Sequence, residues 1–372
     1  MKNTTITFVA NYSKAVVATM TLLGCVAFLA APVAFAQAGW AVGDNGTMLC
    51  TQNAGKLWQL VNGIPQVNLN AVSAGDPTHA WAVGDGGLVL TYQDNVACNQ
   101  QVWAAQNPSV VDLKGVYFRN TVIGWEGWAV GGNQIIHTHN GGGDWGPDNV
   151  PMDVAQLYAV FGNDNVVWAV GIDDEGKPEL LTYNPVEWIR IQVPTDALGA
   201  ARAGFVAGDT GWIGGDQAAA GNPGVGVWRT ATSGATWNEV YASTGVRQRY
   251  RSRLNAMAGA TTADGTFHVF AAGGSDGCPV ISVGTTWQCI LSYRYVVVAR
   301  SDPERQGIFG LSYVDAGGQK GLWAVGSGGG IGYNSDPTSP RVLRLWRAQN
   351  NPQPFGHREK LNGIAMVANP AN

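Results

Sequence analysis

Thirteen of the fifteen tryptophans in this chain fall at two positions of one repeated unit. The first position sits in short runs: Gly39-Trp40-Ala41-Val42-Gly43, Trp81-Ala82-Val83-Gly84, Trp128-Ala129-Val130-Gly131, Trp168-Ala169-Val170-Gly171, Trp212-Ile213-Gly214-Gly215 and Trp323-Ala324-Val325-Gly326. The second lies further on in each unit, at Trp58, Trp103, Trp145, Trp188, Trp237, Trp287 and Trp346. A period in the forties with short aromatic strands marks a radial or linear repeat array. Low charge (13%) and 51 glycines suit short strands joined by tight turns, not disorder or a helical bundle.

Each unit opens on a short apolar segment, such as Leu69-Asn70-Ala71-Val72, Leu113-Lys114-Gly115-Val116 or Leu157-Tyr158-Ala159-Val160. The Trp-Ala-Val-Gly strand follows, then a Gly/Asp turn such as Gly84-Asp85-Gly86-Gly87. A third strand such as Leu88-Val89-Leu90-Thr91-Tyr92 comes next, and the second tryptophan begins a fourth. Four short strands separated by turn residues make one antiparallel blade. The second strand is apolar on both faces, as a blade sandwiched between neighbours requires. Unit starts recur near residues 69, 113, 157, 201, 254 and 308. Residue 39 instead enters directly at a second strand, and Leu361-Asn362-Gly363-Ile364-Ala365-Met366-Val367 supplies a first-strand pattern at the other end. The expected architecture is an all-β, seven-bladed β-propeller of four-stranded antiparallel blades. Its first blade is shared by 37–68 and 361–372, so the C-terminal strand closes the ring on the N-terminal blade.

Residues 1–36 do not carry the repeat. Lys2 and Lys14 precede the uncharged run Ala15 to Ala36, and Ala34-Phe35-Ala36 offers small residues where a signal peptidase reads. A secretory signal over 1–36 is expected, with the propeller domain spanning 37–372. Two alternatives stay open: a retained membrane anchor, and a lipoprotein-like box ending at Cys25. Without residues 1–36 the chain has 20 basic and 26 acidic residues, a net charge of −6, which argues against wholesale nucleic-acid binding. The expected location is periplasmic or extracellular. Four cysteines remain: Cys50, Cys98, Cys278 and Cys289. An even number in an exported chain suggests disulfides. Cys278 and Cys289 flank a predicted hairpin, and Cys50 and Cys98 fall near the same end of neighbouring repeats.

Thr51-Gln52-Asn53-Ala54-Gly55-Lys56-Leu57-Trp58, Thr138-His139-Asn140-Gly141-Gly142-Gly143-Asp144-Trp145 and Thr230-Ala231-Thr232-Ser233-Gly234-Ala235-Thr236-Trp237 resemble the Asp-box, with Asn53, Asn140 and Thr232 in place of its Asp. A short polar side chain there can cap the turn through backbone amides. Together with the Trp-Ala-Val-Gly strands, these turns make the chain resemble BNR-repeat propellers, and among them the photosystem II assembly and stability factor-like proteins. The resemblance covers essentially all of 37–372. It implies a non-enzymatic scaffold that contacts other proteins during assembly of a membrane complex, in a thylakoid lumen if the source is photosynthetic.

Sialidases share the Asp-box and provide the enzyme alternative, but their early Phe/Tyr-Arg-Ile-Pro motif is absent. Arg119 is the one Arg of the early repeats before Arg190. No catalytic residues and no cofactor are expected. His137 and His139 share a strand face, where two His can bind a metal, but the sequence shows no third ligand beside them, so no metal site is expected. Asp173-Asp174-Glu175 reads as a solvated acidic turn. The charge anomaly is Arg247-Gln248-Arg249-Tyr250-Arg251-Ser252-Arg253. Extended, it would set Arg247, Arg249, Arg251 and Arg253 on one side, with Tyr250 among them. Such a row is a candidate dock for an acidic protein segment, a carboxylated glycan or anionic lipid headgroups. A lectin, with tryptophans as stacking platforms, is the second functional reading.

Overall fold

The computed structural model describes residues 37–368 apart from 195–197, 218–224, 244–253, 262–264, 274–279, 284–287, 292–306, 317–318, 338–345 and 354–358. Residues 1–36, where a secretory signal is expected, therefore lie outside the described residues. Among the described residues the strands form seven four-stranded sheets. Six are each folded from one unbroken stretch, with strands in sequence order: blade two (69–106), three (115–147), four (154–190), five (198–243), six (254–291) and seven (308–348). The remaining sheet, blade one, joins Leu361–Ala368 to Gln37–Gly43, Met48–Thr51 and Gln59–Leu60. Seven is thus not the number of self-contained blades. That number is six, and the other sheet needs segments from opposite ends of the chain. Gln37 pairs with Ala368, Trp40 with Ala365 and Val42 with Gly363, all antiparallel. First strands of successive blades touch around a closed circle, from Leu361–Ala368 through blades two to seven and back.

The second strands explain their composition. Ala80 to Gly84 and Gly127 to Gly131 are buried without interruption, because each strand has a neighbouring blade on both faces. The turns that follow need left-handed backbone. Gly86 and Gly87 have φ of 66° and 73°, and a Cβ on Gly87 would meet the Ser109 carbonyl oxygen at 1.9 Å.

The turns before the second tryptophan share one hydrogen-bond scheme. Thr138 Oγ1 accepts from the Gly142 amide (3.0 Å) and Asn140 Oδ1 from the Asp144 amide (2.9 Å). Thr51 and Asn53 do the same for Gly55 and Leu57. Thr230 and Thr232 do it for Gly234 and Thr236. Each side chain satisfies an amide that the tight turn leaves without a backbone partner.

The two tryptophan series meet across blade boundaries. Trp40 of blade one lies edge-on to Trp103 of blade two, with centroids 6.3 Å apart. Trp168 of blade four tilts against Trp237 of blade five at 5.9 Å. Trp323 of blade seven packs in one core cluster with Trp58 of blade one. Trp81 of blade two donates its indole N–H to the Gly141 carbonyl in the turn of blade three (2.8 Å). Second-strand Trp40, Trp81, Trp128, Trp168, Trp212 and Trp323 are all at most 2% exposed. Each aromatic pair adds about 0.5–1.5 kcal/mol beyond the area it buries.

The fourth strands are shorter than the sequence pattern implies. Gln59–Leu60 and Gly146–Pro147 are two residues each, and Trp58, Trp103, Trp145 and Trp237 precede their strands instead of opening them. An outermost strand is paired on one side only, so the turn and its tryptophan, rather than the ladder, hold the blade's rim.

Candidate functional site

The first strands enclose a central cavity of about 190 Å³. At its mouth each blade contributes one residue of its first strand or, in blade three, the residue just before it: Asn70, Lys114, Tyr158, Arg202, Asn255, Phe309 and Asn362. Local backbone geometry puts them there. The pairing register shifts between Leu69 and Ala71, Leu157 and Ala159, Ala201 and Ala203, Leu254 and Ala256, and Ile308 and Gly310. The register of Leu361–Ala368 shifts likewise between Gly363 and Leu361. An extra bulged residue breaks the inward–outward alternation and re-aims its side chain. All seven side chains are half-buried.

The amides among them tie blade to blade. Asn70 Nδ2 donates to the Leu113 carbonyl of blade three (2.8 Å), Asn255 Nδ2 to the Ile308 carbonyl of blade seven (2.9 Å), and Asn362 Nδ2 to the Leu69 carbonyl of blade two (2.9 Å). Asn70 and Asn362 also donate to Asp85 and Asp44, on the turns after the second strands. Burial pushes the Asp85 carboxyl up, but hydrogen bonds from Asn70, Asn68 and Lys114 outweigh it and hold the group below the usual carboxylate range.

Blades three, four and five replace the amide with Lys114, Tyr158 and Arg202. Lys114 Nζ reaches Asp85 (3.1 Å) and Asp112 (3.3 Å). Arg202 bonds Asp216 (2.8 Å), and its guanidinium carbon lies 4.6 Å from the Tyr158 ring centroid. This sector of the mouth sets two cations, both ion-paired with carboxylates, beside an aromatic ring, while Asn255, Phe309, Asn362 and Asn70 complete the circle. Lys360 Nζ lies 4.8 Å from the Phe309 ring centroid.

The residues singled out from sequence fall as follows. Cys50 and Cys98 are bonded, 2.03 Å between sulfurs, linking the composite blade one to blade two. Cys289 lies in the strand Gln288–Leu291, and Cys278 lies outside the described residues. Arg247, Arg249, Tyr250, Arg251 and Arg253 also lie outside them, although Arg253 directly precedes Leu254, where the first strand of blade six starts. Asp173 caps its own turn, accepting from the Glu175 and Lys177 amides. Arg119 pairs with Glu126 in blade three, and Arg190 with Glu179 and Asp153 in and beside blade four, so the two form no joint carboxylate clamp. Burial raises the Glu179 carboxyl. Both of its oxygens are nevertheless engaged by Arg190 at 2.7 and 3.0 Å.

The sequence reading of His137 and His139 needs correction. His137 is buried, and a third donor stands beside the two histidines: Glu126 Oε1 lies 3.1 Å from His137 Nε2 and 3.4 Å from His139 Nδ1. The hairpin register explains it. Trp128 faces His137 across the second and third strands, which brings Glu126 alongside His139. The ring at the mouth also went unread, although its seven residues stand at one fixed place in every first-strand pattern.

No family model and no curated protein matches the chain. Solved structures do. The chain is similar to YCF48 bound to D1 peptide, at 17% identity over 79% of this chain and 86% of that one, with a TM-score of 0.51. It is similar to the WD40 repeats of RRP9, at 11% identity over 88% and 90%, with a TM-score of 0.57. It is also similar to U3-55K, at 11% identity over 88% and 91%, with a TM-score of 0.55. At such identities the likeness shows the propeller fold.

Proposed function

We propose that the protein is a non-enzymatic, exported scaffold that docks an acidic protein segment at the mouth, serving assembly or stability of an envelope or membrane complex. One observation carries the reading. Three successive blades give up the inter-blade amide for Lys114, Tyr158 and Arg202, although asparagine at the equivalent place in blades one, two and six ties each blade to the next. Losing a tie of this kind costs about 1 kcal/mol. The replacement places an ammonium, a guanidinium and an aromatic ring at the mouth, and a partner's carboxylates dock there by exchanging with Asp85, Asp112 and Asp216, which pair with the two cations in the unbound protein.

We assign the arginine row, singled out by its charge, to the same dock. Arg253 is joined to Leu254 by one peptide bond, about 3.8 Å between Cα atoms, and Asn255 lies in the ring. Arg253 is therefore the member of the row bonded directly to a first strand of the ring. A propeller of the same fold, YCF48, is known bound to a peptide, which supports a peptide-sized occupant. Export rests on the N-terminal pattern of residues 1–36. The lectin reading loses its platforms: repeat tryptophans in the described residues are buried or half-buried between blades.

Affinity capture from the native envelope tests the proposal with Arg249→Glu/Arg251→Glu and with Lys114→Gln. Partner recovery should fall sharply in both variants while melting of the charge-reversed protein stays unchanged. Recovery indifferent to both variants overturns the dock.

A further inference from the structure

The geometry points to a divalent d-block cation site, zinc foremost, on blade three, held by Glu126 Oε1, His137 Nε2 and His139 Nδ1. Glu126 lies on the second strand (Gly124–Gly131), His137 on the third (Gln134–Thr138), and His139 one residue beyond it. The three donor atoms lie within 4.8 Å of one another. Glu126 Oε1 is 3.1 Å from His137 Nε2 and 3.4 Å from His139 Nδ1. Bonds of 2.0–2.1 Å in a tetrahedron put ligand atoms about 3.3 Å apart, so two of the edges already have metal-site length.

The surroundings hold these donors in place. Glu126 Oε2 is taken by Arg119, at 2.7 Å from one terminal nitrogen and 2.9 Å from Nε, which leaves Oε1 for the cation. His137 Nδ1 faces Asp148 Oδ1 at 3.4 Å, and Asp148 Oδ2 accepts the Trp188 indole N–H at 2.9 Å. A carboxylate on the far nitrogen of a ligand histidine fixes its tautomer and makes it a better donor. Trp128 stacks on the His137 ring at 4.6 Å and Tyr183 meets it edge-on at 5.2 Å, which locks the ring plane.

Access and specificity follow from the same residues. A cavity of about 430 Å³ lined by His137, His139, Asn140, Asp144 and Asp148 opens beside the donors and leaves room for a fourth ligand, water or a side chain of a docked partner. Two imidazoles and one carboxylate suit zinc and its neighbours in the first transition row. Calcium and magnesium favour more oxygen ligands than this site offers. His139 is 65% exposed, so its approach to Glu126 is not forced by packing. The competing arrangement is a metal-free His137 bridging Glu126 and Asp148.

The test uses the full chain stripped with EDTA and titrated with ZnCl₂ against a competing chromophoric chelator, with Co²⁺ as a spectroscopic substitute. One equivalent should bind, and Co²⁺ should give the intense visible bands of a tetrahedral site. His139→Ala, a change at an exposed position, should abolish this binding with the metal-free melting temperature unchanged. Glu126→Gln should abolish it too. Asp148→Asn should weaken it by about 10–100-fold. Absence of stoichiometric binding, or binding that survives His139→Ala, overturns the site.

Discussion

Breaking the Cys50–Cys98 bond offers a quantitative test of how blade one is held. The bond closes a loop with a sequence separation of 48. Chain-entropy arguments give about 4 kcal/mol for a loop of that length, between the values for 15 and 100 residues. Both cysteines are at most 1% exposed, beside Trp40, Tyr92 and Trp103. Gln101 knits the site, accepting from the Trp40 indole (3.0 Å) and donating to Cys50 Sγ (3.3 Å). Reduction leaves a thiol that still accepts from Gln101, so the entropic contribution is isolated. Cys50→Ala/Cys98→Ala removes that acceptor as well and costs about 1 kcal/mol more. With an unfolding entropy of about 2.1 cal/mol/K per residue over the propeller, 4 kcal/mol lowers the melting temperature by about 6 °C. Scanning calorimetry with and without reductant, with intact mass confirming reduction, measures it. An unshifted melting temperature in fully reduced protein refutes the reasoning. So does a mass showing free Cys50 and Cys98 in unreduced protein.

Two further predictions follow from the closure and from burial. Deleting residues 361–372 strips Leu361, Ile364 and Met366, each at most 6% exposed, from the core. That loses about 5–9 kcal/mol of burial alone, and soluble yield or melting should show the loss. Burial pushes the Tyr117 phenol well above its ordinary range, while the nearby Arg119 charge only partly opposes this. A raised folded pKa means stability is full below about pH 10, where the unfolded phenol begins to ionise, and declines above it. Urea midpoints measured from pH 8 to 11 should fall above pH 10, and Tyr117→Phe should flatten that decline.

What the sequence disclosed depended on repetition. The tryptophan runs mark second strands because a strand covered on both faces must be apolar throughout, and that demand recurs in every blade. The terminal match between Trp40 and the segment from Leu361 was legible for the same reason. The ring at the mouth was not, because its content differs from blade to blade: amide, lysine, tyrosine, arginine or phenylalanine. A bulge sets direction there, not residue type. Glu126 was hidden in another way. Its nearness to His139 comes from hairpin register, visible once Trp128 is set opposite His137. The arginine row was conspicuous by charge, and it stands next in sequence to Leu254.

The composite blade also has a consequence in time. Trp40 pairs with Ala365, and at 5–20 residues per second about 15–65 s of synthesis separates the two positions. During that interval the strand Gln37–Gly43 has no partner for one edge, and unpaired apolar edges recruit other chains. Cys98 is made much sooner, so the bond to Cys50 can anchor the half-built sheet to blade two while the rest of the ring is still being translated. Chains kept from oxidising over that window should aggregate before they close, even where the finished ring tolerates reduction.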